Sequence, residues 1–316
     1  MTTLAARLVA QGSPLRLEPV ELGAPGPGEV AVDLMFGGVN PVDRYVVEGR
    51  VAADGPLPRT VGSEASGYAD GEPVLVCGGG LGALRDGVWA EGAVVPASAV
   101  TPLPRGVDLR TAAAMGVAGL TAWNVVHLGG VGPDDRVLVL GAAGGVGLPV
   151  VSLASSLRAT VWGQTSQQAK ADAVRGQGAA HVVVADAGAV ADAVRDFRPT
   201  VVIDPLGGAF TPAVLGVMAV GGRYVLYGTS AGAEATVQLQ QLYRNSVHLL
   251  GYGGLQLSDD QRRASLVPAL AALADGRLRI VVGRTFPLAE VNAAVTATTD
   301  RSITGKVMLD LRAGGR

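Results

Sequence analysis

The pattern of apolar and polar positions changes character part-way along the chain. Up to about residue 110, short apolar runs such as Glu29–Met35, Pro73–Cys77 and Glu91–Pro96 are separated by glycine- and proline-rich turns, which is typical of β-structure. Helical periodicity first becomes clear at Asp108–Leu120, where Asp108 is a suitable N-cap. The pattern therefore predicts an all-β region followed by a region that contains helices.

From Arg136 onward, strand-like apolar runs alternate with helical segments. This alternation predicts right-handed βαβ crossovers and a doubly wound parallel sheet. The predicted strands are Val137–Leu140, Thr160–Gly163, Val182–Val184, Val201–Asp204 and Arg223–Tyr227. The predicted helices between them are Val146–Leu157, Gln167–Gly176, Ala187–Phe197 and Phe210–Met218. Beyond Gly251 we expect one more helix, Ser258–Ala274, and a final strand, Lys306–Leu311.

A glycine-rich turn, Gly141–Gly147, joins the first of these strands to its helix. Glycine permits a sharp turn and lets backbone N–H groups approach a pyrophosphate at the positive end of a helix. Ala143 stands where the strict dinucleotide fingerprint has its second glycine. The turn is a candidate phosphate cradle, and an ordinary strand-to-helix turn is the alternative. The candidate contacts are Gly144, Gly145, Val146 and Gly147.

The end of the second predicted strand carries no carboxylate. Folds that bind NAD usually place an Asp or Glu there, roughly 20 residues past the glycines, to hold the ribose 2′-hydroxyl. Here Thr165 and Ser166 end the strand and Lys170 follows. Without a carboxylate a 2′-phosphate is not repelled, and the hydroxyl and ammonium groups attract it. These residues favour NADPH over NADH, although Lys170 as an ordinary solvated helix residue is the alternative.

Composition narrows the classes of protein to which the chain can belong. With 316 residues it is long enough for two domains, and 48% hydrophobic against 16% charged residues is a globular composition. A net charge of −2 argues against nucleic acid and anionic membrane surfaces as partners. The single cysteine, Cys77, excludes an internal disulfide. We expect a cytoplasmic protein that acts on a small molecule, with no membrane partner.

Six short motifs in a fixed order carry a resemblance to a known family. The chain resembles a zinc-independent medium-chain dehydrogenase/reductase of the quinone oxidoreductase type over nearly its whole length. The motifs are GVNPVD (Gly38–Asp43), AEGAVVPA (Ala90–Ala97), AGLTAW (Ala118–Trp123), GAAGGVG (Gly141–Gly147), GGRYVLYG (Gly221–Gly228) and ITGKVML (Ile303–Leu309).

The resemblance implies an α/β fold in two domains. Residues 1–115 would form a GroES-like domain of β-barrel type, to which residues 255–316 return. Residues 116–254 would form a Rossmann domain that binds NADPH. It also implies cofactor contacts from Thr121 and Gly228, beside the nicotinamide, and from Lys306. The late strand Val247–Gly253 would pair across a twofold axis in a homodimer.

The catalytic candidates come from the same resemblance. In zinc alcohol dehydrogenases of this architecture, a cysteine and a histidine hold the metal. Asn40 stands at the cysteine position and Ser63 at the histidine position, and neither is a usual zinc ligand, so no metal site is expected. We expect Asn40 to act as an amide donor. Tyr45 would act as a proton donor or a stacking wall, with a half-buried strand-edge tyrosine as the alternative.

The leading hypothesis is a zinc-free, NADPH-dependent reductase of a quinone or an α,β-unsaturated carbonyl compound. Without a Lewis acid, orientation and hydrogen-bond donors to the developing oxyanion must supply the catalysis. A reductase that tailors a specialised cyclic substrate in secondary metabolism is one alternative. A non-catalytic nucleotide-binding scaffold is the other, since fold does not imply function.

Overall fold

A computed structural model describes residues 2–313, which form two compact units. The first unit comprises the chain up to Leu120, the segment Leu257–Asp275 and the stretch from Ile280 onward. The second comprises Thr121–Gln256 and Gly276–Arg279. No helix among the described residues is long and apolar enough to cross a membrane.

The secondary structure elements are numbered separately as strands and helices in chain order. The strands are β1 (Thr2–Leu8), β2 (Arg16–Glu21), β3 (Glu29–Val39), β4 (Arg59–Thr60), β5 (Glu64–Ala69), β6 (Glu72–Cys77), β7 (Gly92–Pro96), β8 (Val100–Pro102), β9 (Arg136–Val139), β10 (Thr160–Thr165), β11 (His181–Val184), β12 (Val201–Asp204), β13 (Arg223–Leu226), β14 (His248–Gly251), β15 (Val282–Pro287) and β16 (Lys306–Asp310). The α-helices are α1 (Pro41–Val47), α2 (Leu109–Ala112), α3 (Leu120–Leu128), α4 (Gly147–Ser156), α5 (Ala171–Gly176), α6 (Val190–Val194), α7 (Phe210–Leu215), α8 (Leu239–Arg244), α9 (Asp259–Ala274) and α10 (Val291–Ala297).

The first unit is built on two sheets. A small antiparallel sheet has the order β2-β1-β4, and a larger one has the order β15-β16-β3-β5-β6-β8, with β7 paired to β3. The long strand β3 pairs antiparallel with the C-terminal strand β16 on one side and with β5 on the other. These pairings bring residues about 270 positions apart into the same sheet, around a core that includes Leu34, Trp89 and Leu309.

The second unit contains a six-stranded, all-parallel sheet in the order β11-β10-β9-β12-β13-β14. The chain adds strands to one side of β9 and then returns to add the others on its opposite side. Ligands of such sheets bind at the carboxyl ends of the strands beside this reversal. Leu138, Ile203 and Tyr224 are fully buried at its centre, as expected for strands covered on both faces. The predicted doubly wound parallel sheet is confirmed.

The prediction that the chain is all-β up to residue 110 is wrong, because it missed α1. This helix has seven residues, too few for a clear hydrophobic period, and its signals are Pro41 at the first helical position and Asp43 at the third. The prediction of a single helix beyond Gly251 is wrong as well, since α10 follows α9.

The predicted helix Asp108–Leu120 is interrupted. Its start is confirmed, because the Asp108 carboxylate accepts a hydrogen bond from the Thr111 N–H at 2.9 Å. However, α2 ends at Ala112, and a π-helix at Met115–Gly119 precedes α3. A Cβ at Gly116 would lie 2.5 Å from the Cβ of Cys77, so this wide turn packs its backbone directly on β6.

Candidate functional site

The turn between β9 and α4 is shaped by backbone contacts that admit only glycine. A Cβ at Gly147 would lie 2.4 Å from the Gly141 carbonyl oxygen, which leaves no space for a side chain. Gly141 itself has a φ of +58°. Among residues 2–313, no hydrogen bond uses the N–H groups of Gly145, Val146 or Gly147 as donors. These three donors at the first turn of α4 are the kind of group that binds a pyrophosphate.

Gln164 on β10 holds the glycine turn in place through hydrogen bonds. Its side-chain oxygen accepts from the Gly141 N–H at 2.9 Å, and its amide donates to the Ala185 carbonyl at 2.6 Å. The Gln164 carbonyl also accepts from the Ala142 N–H at 2.8 Å. Ala143, which replaces a glycine of the strict fingerprint, is buried, so its methyl group packs inward. One buried glutamine therefore links the glycine turn to the neighbouring strands β10 and β11.

The three residues predicted to read a 2′-phosphate differ in exposure. Ser166 is exposed at the end of β10, whereas Thr165 and Lys170 are buried. The Thr165 hydroxyl accepts a hydrogen bond from the Gln167 N–H at 3.4 Å. Lys170 already interacts with another group of the chain. No carboxylate lies at the strand end, in agreement with the sequence. Of these three residues, Ser166 is the one that already faces solvent.

A buried carboxylate organises the carboxyl ends of β12 and β13. Asp204 accepts hydrogen bonds from the Tyr224 hydroxyl at 2.6 Å, the Leu206 N–H at 2.6 Å and Gly207 N–H at 3.1 Å. Burial raises the pKa of Asp204, and burial together with the nearby carboxylate raises the pKa of Tyr224. A Cβ at Gly228 would lie 2.7 Å from the Pro205 carbonyl oxygen, so this strand end also requires glycine. Thr121, the other predicted nicotinamide contact, is half-buried in the first turn of α3.

The first unit contains a buried ion pair between strands that are distant in sequence. The Lys306 ammonium on β16 lies 3.1 Å from Glu64 Oε1 on β5, and the two side chains are 4% and 0% exposed. Lys306 Nζ also donates to Asn40 Oδ1 at 2.5 Å and to the Val39 carbonyl at 3.1 Å. An ammonium group has three hydrogens, and here three oxygens accept them. The predicted cofactor contact from Lys306 would require this network to open.

Asn40 lies at the centre of the network. Its side-chain oxygen accepts from Lys306, and its Nδ2 donates to Glu64 Oε1 at 2.7 Å. The other oxygen of Glu64 accepts from the Val117 N–H at 2.8 Å, in the π-helix. A Cβ at Gly38 would lie 2.2 Å from Glu64 Oε1, so the glycine that opens the GVNPVD motif makes room for this carboxylate. One of the two Nδ2 hydrogens of Asn40 is therefore committed to Glu64.

Asp43 holds the start of α1 against the strand that carries Glu64. Its carboxylate accepts from the Asn40 N–H at 2.8 Å and from the Ser63 N–H at 3.1 Å. Burial is the main cause that raises the pKa of Asp43 to about 6. The Ser63 hydroxyl oxygen is buried and has no hydrogen-bond partner in the described part of the chain. Asp43 therefore caps the helix and also binds the backbone at Ser63.

Tyr45 lies on α1 outside this network. Its ring is half-buried and is flanked by the guanidinium groups of Arg44 and Arg50, at 4.8 and 4.4 Å from the ring centre. Both arginines pair with Glu48. The structure thus joins Asn40 and Lys306 directly, while Tyr45 has separate surroundings. Sequence reasoning missed the role of Glu64, and the SE pair after Gly62 was its only local signal.

Comparison with known proteins identifies the family. Over 318 aligned residues the chain is 31% identical to quinone oxidoreductase-like protein 2 of Bos taurus, covering 95% of this chain and 90% of that protein. The chain is a quinone oxidoreductase-type medium-chain dehydrogenase/reductase. A family model described as "Zinc-binding dehydrogenase" matches residues 177–309, which lie beyond the positions of Asn40 and Ser63. This oxidoreductase is also 29% identical to 2-haloacrylate reductase from Burkholderia sp, across 97% of this chain and 98% of that protein.

The crystal structure of the quinone oxidoreductase from Thermus thermophilus has the same fold. It matches with a TM-score of 0.85 and 30% identity, covering 98% of this chain and all of that chain, and it was also determined in complex with NADPH. The expected α/β fold, with a GroES-like domain and a Rossmann domain, is confirmed.

Replacing Asp43 by asparagine tests whether burial raises the pKa of this carboxyl group. Between about pH 4 and 6 the folded protein binds the Asp43 proton more tightly than the unfolded chain does. Protonation of Asp43 therefore raises the free energy of unfolding as the pH falls through this window. We expect the stability advantage of the wild type over Asp43→Asn to grow as the pH falls from 7 to 4, by at most about 1.4 kcal/mol per pH unit. Urea unfolding at four pH values measures it, with the exposed Asp54→Asn as a control. An advantage that stays constant or shrinks contradicts this assignment.

Proposed function

We propose that this protein is a zinc-free, NADPH-dependent reductase of a quinone or an α,β-unsaturated carbonyl compound. The observation that carries the proposal is the Asn40 amide, which is 3% exposed and is held between Lys306 and Glu64 with one Nδ2 hydrogen that no hydrogen bond among the described residues uses. We expect a bound substrate oxygen to accept from this hydrogen. A donor fixed in advance stabilises the negative charge that develops on the oxygen of a reduced carbonyl or enolate. The Ser63 hydroxyl, which lies beside the Asp43 carboxylate, would serve as a second donor.

The residues of the second unit fit a dinucleotide. The N–H groups of Gly145, Val146 and Gly147 would hold the pyrophosphate, and the close backbone packing at Gly228 would leave room for the nicotinamide. Bound NADPH supplies the hydride for the reduction. The quinone oxidoreductase from Thermus thermophilus was determined with this nucleotide, which supports the same choice here. Ser166, with Thr165 and Lys170 behind it, would face the 2′-phosphate.

The donor set around Asn40 supports the zinc-free assignment. Zinc in proteins takes thiolate, imidazole and carboxylate ligands. Asn40 and Ser63 provide an amide and a hydroxyl, and the nearby Glu64 is already paired with an ammonium group. Among residues 2–313, no cluster of three histidine, cysteine or acidic side chains could hold a metal ion. We therefore assign the polarising role to hydrogen-bond donors of the chain.

The substrate class follows from this chemistry and from the relatives. A single amide donor with a hydroxyl suits a carbonyl oxygen, either of a quinone or conjugated to a C=C bond. One relative is named for reduction of a 2-haloacrylate, whose C=C bond is conjugated to a carboxyl group. Tyr45 would form a wall of the pocket or donate the proton that completes the reduction.

Equilibrium binding of NADPH and NADH tests the nucleotide assignment. We expect the protein to prefer NADPH, and Ser166→Asp to weaken NADPH binding by at least about tenfold, because a carboxylate at this strand end repels a 2′-phosphate and accepts from a ribose hydroxyl. NADH binding should persist in the variant. The exposed Ser302→Asp adds the same charge in the first unit and is the control. Lys170→Ala should also lower NADPH affinity. Binding of neither nucleotide overturns the reductase assignment.

Turnover of a panel of small enones and quinones tests the reaction. We expect NADPH oxidation with at least one acceptor, and a loss of about 10²- to 10³-fold in kcat/KM for Asn40→Ala, as for removal of an oxyanion donor. Asn245→Ala, in the second unit, should leave kcat/KM unchanged. A protein that binds NADPH yet reduces no acceptor on the panel would contradict the proposal and leave the tailoring reductase and the scaffold as the alternatives.

The homodimer is also proposed from the sheet edge. Strand β14 is one of the two edge strands of the parallel sheet, and Leu249 on it is 46% exposed. Within the described residues its outer edge pairs with no further strand, and an apolar side chain is available there. Sedimentation should give about twice the 31.8 kDa chain mass, and Leu249→Lys should yield a monomer while the exposed Leu84→Lys does not. A wild-type species of one chain mass removes the proposal. Location in the cytoplasm stays a prediction.

A further inference from the structure

Lys306 has no hydrogen left with which to contact a ligand. Its ammonium donates to the Val39 carbonyl, Asn40 Oδ1 and Glu64 Oε1, at 3.1, 2.5 and 3.1 Å. The side chain is also 4% exposed. Any effect of Lys306 on the reaction must therefore pass through the groups it binds.

The two charged partners of Asn40 select one of its two amide orientations. In the observed orientation the oxygen faces the ammonium group of Lys306 and the nitrogen faces the carboxylate of Glu64. Rotation of the amide by half a turn would place N–H groups against the ammonium and the oxygen against the carboxylate. Both contacts would be repulsive, and buried polar groups left without partners are costly. The ion pair thus permits only the orientation seen.

The frame that holds the amide is itself fixed. Glu64 is held at its second oxygen by the Val117 N–H, and Gly38 packs against its first oxygen. The Asn40 backbone is anchored by the Asp43 carboxylate at the start of α1. Three strands and one helix thus converge on a single side-chain amide.

We propose that Lys306 is a positioning residue for the reduction, because it fixes the Asn40 amide so that its free Nδ2 hydrogen faces the substrate oxygen. This inference rests on the proposed function, in which Asn40 polarises the carbonyl group. Lys306 takes no part in proton or electron transfer, and its contribution is the orientation of a neutral donor.

The first test compares a neutral double variant with the wild type. Lys306→Met alone leaves the Glu64 charge buried and unpaired, and it is expected to be unstable. Lys306→Met/Glu64→Gln removes both charges and should fold. In this double variant we expect unchanged NADPH affinity and acceptor KM, and a loss of at least about tenfold in kcat, because the amide is free to rotate. Urea unfolding checks its stability.

Coupling to Asn40 separates positioning from a general structural effect. When Asn40→Ala is added to the double variant, we expect little further loss of kcat, because the donor is already misplaced. Additive losses, or a stable double variant with the kcat of the wild type, would overturn the inference.

The second test measures hydrogen exchange at the Asn40 side-chain amide and does not depend on enzyme activity. The chain has four asparagines, so protein labelled with ¹⁵N-asparagine gives four side-chain amide pairs, and that of Asn40 is assigned by its loss in Asn40→Ala. We expect slow hydrogen exchange at this amide in the wild type and exchange at least about tenfold faster in Lys306→Met/Glu64→Gln. Equal exchange in both proteins refutes the positioning role. If the wild type reduces no acceptor, the proposed function fails, and this exchange measurement still decides whether Lys306 holds the amide.

Discussion

The buried ammonium group of Lys306 determines which polar groups must surround it in the first unit. A charge out of water must be paired and fully hydrogen-bonded, and Lys306 meets this requirement with a carboxylate, an amide oxygen and a carbonyl. These acceptors come from the end of β3, the residue that follows it and β5, whereas Lys306 opens β16. Removing one partner of a buried pair costs about 3–5 kcal/mol, a large share of the stability of a typical protein. The C-terminal strand therefore completes the polar centre of this unit.

In the second unit, the main constraint is the close packing of backbone atoms against one another. At Gly147 and Gly228 a Cβ would collide with carbonyl oxygens, so both strand ends bring main chain against main chain. At Gly147 a side chain would displace the turn that precedes α4, and the N–H groups of Gly145, Val146 and Gly147 donate no hydrogen bond among the described residues. Gln164 and Asp204 hold the turns that follow β9 and β12 through hydrogen bonds to backbone N–H groups. In the proposed function, backbone groups of the second unit would bind the nucleotide and side chains of the first unit would polarise the substrate.

Local patterns predicted the parallel sheet well, because apolar runs and glycine turns alternate at short range; Val201–Asp204 has the predicted bounds. They missed α1, which is too short for a period and starts with Pro41. Asn40 and Lys306 were each named from motifs, but their contact spans 266 positions and appears in no local pattern. Glu64 was missed for the same reason, since its partners are brought to it by strand pairing. The burial of Lys170 could not be predicted from the local sequence either, because it depends on packing in the folded chain.

The central claim is that a hydrogen-bonding amide, without a metal, supports hydride transfer from NADPH. It can be tested by following deuterium from NADPH labelled at both C4 positions into an enone acceptor, using enzyme treated with a chelator and assayed for bound metal. We expect deuterium at the acceptor carbon β to the carbonyl group and a rate that chelation does not change. Loss of turnover on chelation with recovery on added zinc would contradict metal-free hydride transfer, as would reduction without deuterium transfer.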